Sequence, residues 1–219
     1  MIHINLVVAF AILMGNIGIP VIAQTDMQAK TMLTQVSKKY QTFSTIKVDF
    51  SYTIDNPQAK IKETQLGTLL TLAKTNKYKI TLKDQELISD GTTQWTYLKS
   101  DKEVQITTAD HKADALNPAK IFTFYETGFK YLYVGERTIN GKMMSTIDLA
   151  PLDDKHSYFK IRLLIDKSAK LIANVLIFDK NGNRYTYSIK SILPNVKVSA
   201  STFDFDTKKY PGVEVVDLR

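Results

Sequence analysis

Two hydrophobic periods divide the chain. Between Thr25 and Phe43 apolar residues recur at steps of three and four, at Ala29, Leu33, Val36, Tyr40 and Phe43. That spacing predicts an amphipathic helix, with Thr25 or Asp26 placed to cap its start. From Ile46 the period drops to two. Val48, Phe50, Tyr52 and Ile54 alternate with Lys47, Asp49, Ser51 and Thr53, as in a half-buried strand. Similar runs follow at 66–73, 78–82, 93–98, 104–107, 131–136, 143–149, 158–165, 171–178 and 184–192. Turn-forming pairs separate them: Asp90-Gly91 suits a tight turn, and Asn140-Gly141 and Asn181-Gly182 suit two-residue hairpin loops. Many short strands joined by hairpins predict one antiparallel sheet, curved or nearly closed. With the helix, the fold class is α+β. There is no helix-strand alternation of the parallel kind and no internal repeat.

One segment interrupts the strands, ALNPAKIFTFYETGF, from Ala115 to Phe129. Asn117 can cap a helix, Pro118 suits its first position and Gly128 can end it. Ile121, Phe122, Phe124 and Tyr125 make the predicted helix, Pro118 to Glu126, apolar around most of its girth, which calls for burial on several sides. It serves either as a plug of core or as a lid over a cavity.

Composition then narrows the setting. The chain has 219 residues, 44% apolar and 23% charged, which suits a globular protein with a sizeable core. From Ile4 to Ile22 there is no charge, and Val21-Ile22-Ala23 closes the run. This pattern predicts a signal peptide over 1–23, cut after Ala23, and a single domain over 24–219. The competing reading is an uncleaved anchor, against which Gly15, Gly18 and Pro20 argue. No other segment approaches the ~18 apolar residues of a membrane helix. Cysteine is absent, so the expected exported protein has neither disulfides nor thiol chemistry. The net charge of +7 comes from lysines spread along the strands. Such spreading fits solvated faces, with attraction to anionic surfaces a secondary possibility.

Chemistry is sparse. The three histidines are His3, His111 and His156, each isolated. The chain carries no GxSxG, HExxH or phosphate-binding glycine loop, and no aromatic-basic module for nucleic acid. An exported hydrolase is therefore disfavoured, and no enzyme activity, cofactor or metal is expected. What remains is a sheet curved around an apolar interior with helices over its mouth, a container for an apolar ligand.

Four motifs carry a family resemblance. ISDGTTQWTY, with Ser89 to Tyr97 at its heart, is similar to the S-D-G-x-x-x-W-x-Y signature of the LolA family, periplasmic carriers of outer-membrane lipoproteins. Phe43 with VDFSYTI resembles its aromatic first strand. Gly67-Thr68-Leu69-Leu70-Thr71-Leu72 resembles its G-x-L-x-L segment, and FDFDTKKYPGVEVVD its C-terminal close. In order and spacing these cover nearly all of residues 25 to 217.

The resemblance implies an unclosed β-barrel lidded by helices, with acyl chains entering the cavity between them. It implies a periplasmic location and acylated lipoproteins as cargo. The donor would be an inner-membrane lipoprotein-releasing ABC transporter complex, the acceptor an outer-membrane receptor where one exists. A monomer is expected, with no nucleic-acid partner. The alternative is an exported lipid-binding or envelope-sensing module of the same fold with a non-lipoprotein ligand.

The family carries Arg-Pro where this chain has Lys74-Thr75. That arginine is associated with holding the lid shut, so Lys74 is either a weaker lid control or a solvated loop residue. Alternation then predicts a cavity lined by Val48, Phe50, Tyr52, Leu70, Leu72 and Ile80, and the resemblance adds Tyr78. Ile121, Phe122, Phe124 and Tyr125 would cap it. Trp95, with Tyr97, either lines this cavity or packs under the N-terminal helix.

Overall fold

The computed structural model describes residues 21–109 and 122–219. The predicted signal segment, apart from Val21 to Ala23, therefore lies outside the described residues, as do His111, Pro118 and Ile121. The first element is a helix, α1 (Val21–Gln41), which runs through the expected cleavage boundary at Ala23. Ala29, Leu33, Val36 and Tyr40 are at most 4% exposed, so the predicted stripe is the buried face. Lys38 and Lys39 in its last turn oppose the negative end of the helix dipole.

The twelve strands among the described residues form one sheet. In chain order they are β1 (Thr45–Asn56), β2 (Ile61–Leu72), β3 (Lys77–Leu82), β4 (Gln85–Asp90), β5 (Thr93–Leu98), β6 (Glu103–Thr108), β7 (Phe129–Ile139), β8 (Lys142–Pro151), β9 (Tyr158–Asp166), β10 (Leu171–Asp179), β11 (Arg184–Pro194) and β12 (Glu214–Asp217). Their spatial order is β12-β6-β5-β4-β3-β2-β1-β11-β10-β9-β8-β7. Every ladder is antiparallel except β12 with β6. Among the described residues no ladder joins β7 to β12, so the curved sheet is an unclosed barrel with β7 and β12 as its edges. Strand β4 and the short parallel strand β12 are additions to the runs that alternation predicts.

Turn chemistry explains the hairpins. Asn140 and Gly141 both have positive φ, 50° and 75°, as a two-residue I′ turn requires. The Asn181-Gly182 loop is longer than expected. Its turn is closed by Asp179, whose carbonyl accepts from Gly182 N and whose Oδ1 accepts from Asn181 N. At Asp90-Gly91 the Asp90 Oδ1 accepts from the backbone N–H groups of Thr92 and Thr93, both at 2.8 Å.

Helix α1 crosses the concave face and packs on β7 and β10. Beneath it Ile147, Leu149, Ile161, Leu163, Ile165, Ile172 and Val175 are buried. Cross-strand partners place them on one face: Ile147 opposite Leu163, Leu163 opposite Val175, Ile165 opposite Ile172. A register shift at Ala173 distorts the β9–β10 ladder, and the N–H of neighbouring Ile172 donates to Tyr40 Oη at 3.1 Å. The helix thus supplies an acceptor to a sheet amide at a bulge.

Candidate functional site

Register decides which residues face the interior. Val48 lies opposite Leu69, Phe50 opposite Gly67 and Ile46 opposite Thr71. Across the next ladder Leu69 lies opposite Ile80 and Thr71 opposite Tyr78. On the other side Tyr52 pairs with Tyr187 and Phe50 with Ile189. The concave face therefore carries Ile46, Val48, Phe50, Tyr52, Leu69, Tyr78, Ile80, Tyr187 and Ile189. Of the expected lining, Val48, Phe50 and Tyr78 are buried in the core cluster, and Tyr52 and Ile80 pack half-buried against it.

Three expected positions stand on the other face. Leu70 lies opposite Lys47, and Leu72 opposite Thr45, so both point to the convex side and Leu69 takes the inner place. Trp95 lies opposite Ile88 and Ile106, again convex. Tyr97 shares that side and meets Phe205 and Tyr210, with ring centroids 5.7 and 4.7 Å away. Phe203 in the same C-terminal segment is buried. Trp95 and Tyr97 thus belong neither to the cavity nor to the helix interface. The C-terminal segment covers this convex face and makes it a second, smaller core. Apolar residues occupy both faces of these strands, so alternation alone could not tell inside from outside.

Close approach on the concave side needs Gly67. A Cβ there would sit 2.7 Å from Phe50 Cζ and 2.6 Å from Leu82 Cδ2. The missing side chain lets the Phe50 ring lie over the sheet. Further along, Tyr52 meets Tyr187 with centroids 4.8 Å apart. Burial, and then the neighbouring Tyr52, push the Tyr187 hydroxyl above its ordinary value. Tyr78 Oη donates to Gln94 Oε1 at 2.6 Å, and burial pushes its pKa up to about 12.

Over this face sits the segment 122–128. It contains one 3-10 turn, Phe124–Glu126, so the described part of the expected lid is not α-helical. Phe122 is 5% exposed and stacks on Tyr40, while Tyr125 is fully buried. Ser37 Oγ donates to Tyr125 Oη at 3.2 Å, tying the segment to α1. Tyr131 Oη donates to the carbonyls of Tyr125 and Glu126, at 2.8 and 3.1 Å, tying it to β7. Phe124 is half-buried against Phe129. Sequence reasoning misses Tyr40, Tyr131 and Leu69 as site residues. For Leu69 the available signal is its neighbour Leu70, one step out of phase.

A cleft of about 450 Å³ opens where the concave face meets the turn from β2 to β3. Its apolar wall is Tyr40, Ile46, Ala73 and Phe122; its polar rim includes Lys74, Asn76 and Glu126. Lys74 holds a left-handed backbone, φ 60°, and is exposed. It faces the lid segment across the cleft but its side chain forms no hydrogen bond or ion pair among the described residues.

The family model for the outer membrane lipoprotein carrier protein LolA matches residues 41–206. The chain belongs to the LolA family. No curated protein matches the sequence. Solved structures share the LolA-like fold at low identity. An uncharacterized conserved protein from Thermus thermophilus superposes with TM-score 0.59 at 11% identity, covering 87% of this chain and 99% of that one. A DUF1329 family protein from Desulfovibrio piger gives 0.53 at 12%, covering 85% and 99%. A domain from Vibrio parahaemolyticus, described as an outer membrane lipoprotein-sorting protein, gives 0.51 at 11%, covering 82% and 97%. Within the LolA-family region, the motif around Trp95 builds the convex core, and the concave row beside the cleft is supplied by β1 to β3 and β11. No described helix is long and apolar enough to cross a membrane.

Proposed function

We propose that this LolA-family protein is an exported, non-enzymatic carrier that shields the acyl chains of lipoproteins between the inner and outer membranes. The supporting observation is the arrangement of Phe122 and Tyr125. Both are buried over an apolar sheet face, yet both sit on a short segment whose only helical element among the described residues is one 3-10 turn, held by a few identifiable contacts. Such a plug fills the concave face when no ligand is present and leaves when acyl chains enter. Each methylene moved from water to this face is worth ~0.8 kcal/mol, so several chains would bind nearly irreversibly without a competing plug. Re-closure of the plug offsets part of that gain and makes release possible.

In this reading the protein is processed after Ala23 and works as a periplasmic monomer. It receives cargo from an inner-membrane lipoprotein-releasing ABC transporter complex and passes it to an outer-membrane acceptor. Val48, Phe50, Tyr52, Tyr78 and Ile80 would contact acyl chains once Phe122, Phe124 and Tyr125 swing away. The test is incubation with inner-membrane vesicles carrying a labelled triacylated lipoprotein. Soluble lipoprotein–carrier complex, identified by mass spectrometry, is the expected result, and its absence removes the carrier role.

One observation favours a second reading, a module of the same fold with a non-lipoprotein lipid ligand. Lys74 stands where the family carries its lid-locking arginine, and its side chain bonds to nothing described across the cleft. Free lipid rather than acylated protein in the same experiment would support that reading.

A further inference from the structure

The cleft beside Lys74 combines features that an acyl chain alone does not use. Its wall of Tyr40, Ile46, Ala73 and Phe122 is apolar and continues into the concave row Val48–Phe50–Tyr52. Its rim brings one cation, Lys74, and one carboxylate, Glu126, from separate elements. Neither is ion-paired with any described residue, although both line the same space. Both backbones are fixed. Thr75 N and Oγ1 donate to the Leu72 carbonyl, at 3.3 and 2.7 Å, and hold the turn that carries Lys74. Tyr131 Oη holds the Glu126 carbonyl.

We infer that this cleft is a headgroup site for a zwitterionic phospholipid, with Lys74 taking the phosphate and Glu126 the ammonium. A lone anion would gain from Lys74 and be repelled by Glu126, and an uncharged glyceride would use neither. A phosphate diester joined to an ammonium by a short linker presents both charges to both partners, as charge-assisted hydrogen bonds. Its tails would follow the row from Ile46 inward once Phe122 moves off Tyr40. The inference rests on the binding reading above only in requiring that apolar tails reach the concave face.

The test uses purified protein and vesicles holding one of three fluorescent lipids with identical tails: a phosphatidylethanolamine, a phosphatidylglycerol and a diacylglycerol. The ethanolamine lipid should be extracted about tenfold more tightly than the diacylglycerol, the scale of one charge-assisted hydrogen bond. Glu126→Gln should erase the preference for ethanolamine over glycerol headgroups without weakening phosphatidylglycerol uptake. Lys74→Gln should weaken both phospholipids and leave diacylglycerol unchanged. Both residues are exposed, so thermal unfolding of the variants should match the parent. Equal extraction of all three lipids by the parent protein overturns the headgroup site while leaving a lipid-binding concave face intact. Extraction of none overturns both.

Discussion

Tyr40 near the end of α1 and Phe122 in the lid segment stack with ring centroids 4.3 Å apart and planes 25° from parallel. The pair joins the only α-helix among the described residues to the segment that caps the concave face. With Ile46 and Ala73 it also forms the apolar wall of the cleft beside Lys74. A stacked aromatic pair contributes about 0.5–1.5 kcal/mol beyond its burial, so this contact favours the closed arrangement.

Phe122→Ala should lower stability by about 3 kcal/mol, the low end for a buried Phe, because the lost ring leaves a cavity beneath the lid. It should also tighten ligand retention and slow transfer to an acceptor membrane, since the plug no longer competes with acyl chains. Phe124→Ala, at a half-buried position, should move both in the same direction by less. Urea unfolding and a labelled-lipoprotein transfer assay read the two effects separately. Faster transfer by Phe122→Ala would contradict the plug.

Tyr40→Phe keeps the stack but removes the oxygen that accepts from the Ile172 amide. A buried N–H left without an acceptor costs about 1–3 kcal/mol. The expected signature is a lower urea midpoint and faster hydrogen exchange at Ile172, with ligand uptake little changed.

Gly67→Ala forces a Cβ into the Phe50 ring and Leu82. Overpacking of this kind costs about 1–3 kcal/mol, and here the ring must tilt into the concave space. The same variant combined with Phe50→Leu should recover most of the lost stability, measured by thermal unfolding.

Face assignment is open to direct test. Tyr52→Glu puts a charge on the concave face at a half-buried site and should abolish acyl-chain uptake. Leu70→Glu, half-buried on the convex face, should leave uptake near the parent level. Charge at Phe50 or Tyr78 is a poorer probe, because both are buried in the core and the fold itself would suffer. Loss confined to Leu70→Glu, with both variants folded by circular dichroism, would reverse the faces, and equal loss would contradict the assignment.

Alkaline pH should weaken the fold through its buried tyrosines. Burial pushes Tyr78 from 10.0 up to about 12, and raises Tyr40, Tyr125 and Tyr187 as well. In the unfolded chain these hydroxyls ionise near pH 10, whereas the folded protein keeps them protonated. Above that pH the unfolded state binds fewer protons, so stability falls as pH rises. The contribution of Tyr78 is complete below about pH 10 and lost through about pH 12. Urea midpoints at about pH 9 and about pH 11 should differ, and Tyr78→Phe should narrow the gap.

By itself the sequence determined the N-terminal helix, most of the strands and the family. A 3.6-residue stripe from Ala29 to Tyr40 has one physical outcome, a helix buried on that side. Period-two runs with Asn-Gly and Asp-Gly turns between them can only be strands of an antiparallel sheet. The tertiary structure alone decided which strand face is inside. Leu69 and Leu70 are adjacent and equally apolar, and only the pairing of Val48 with Leu69 selects one. Trp95 reads as an interior residue in the sequence because burial of its convex face depends on a C-terminal segment about a hundred residues later in the chain. The contact of Phe122 with Tyr40 is of the same kind. Periodicity encodes how each element divides into faces, whereas register and long-range packing determine what each face meets.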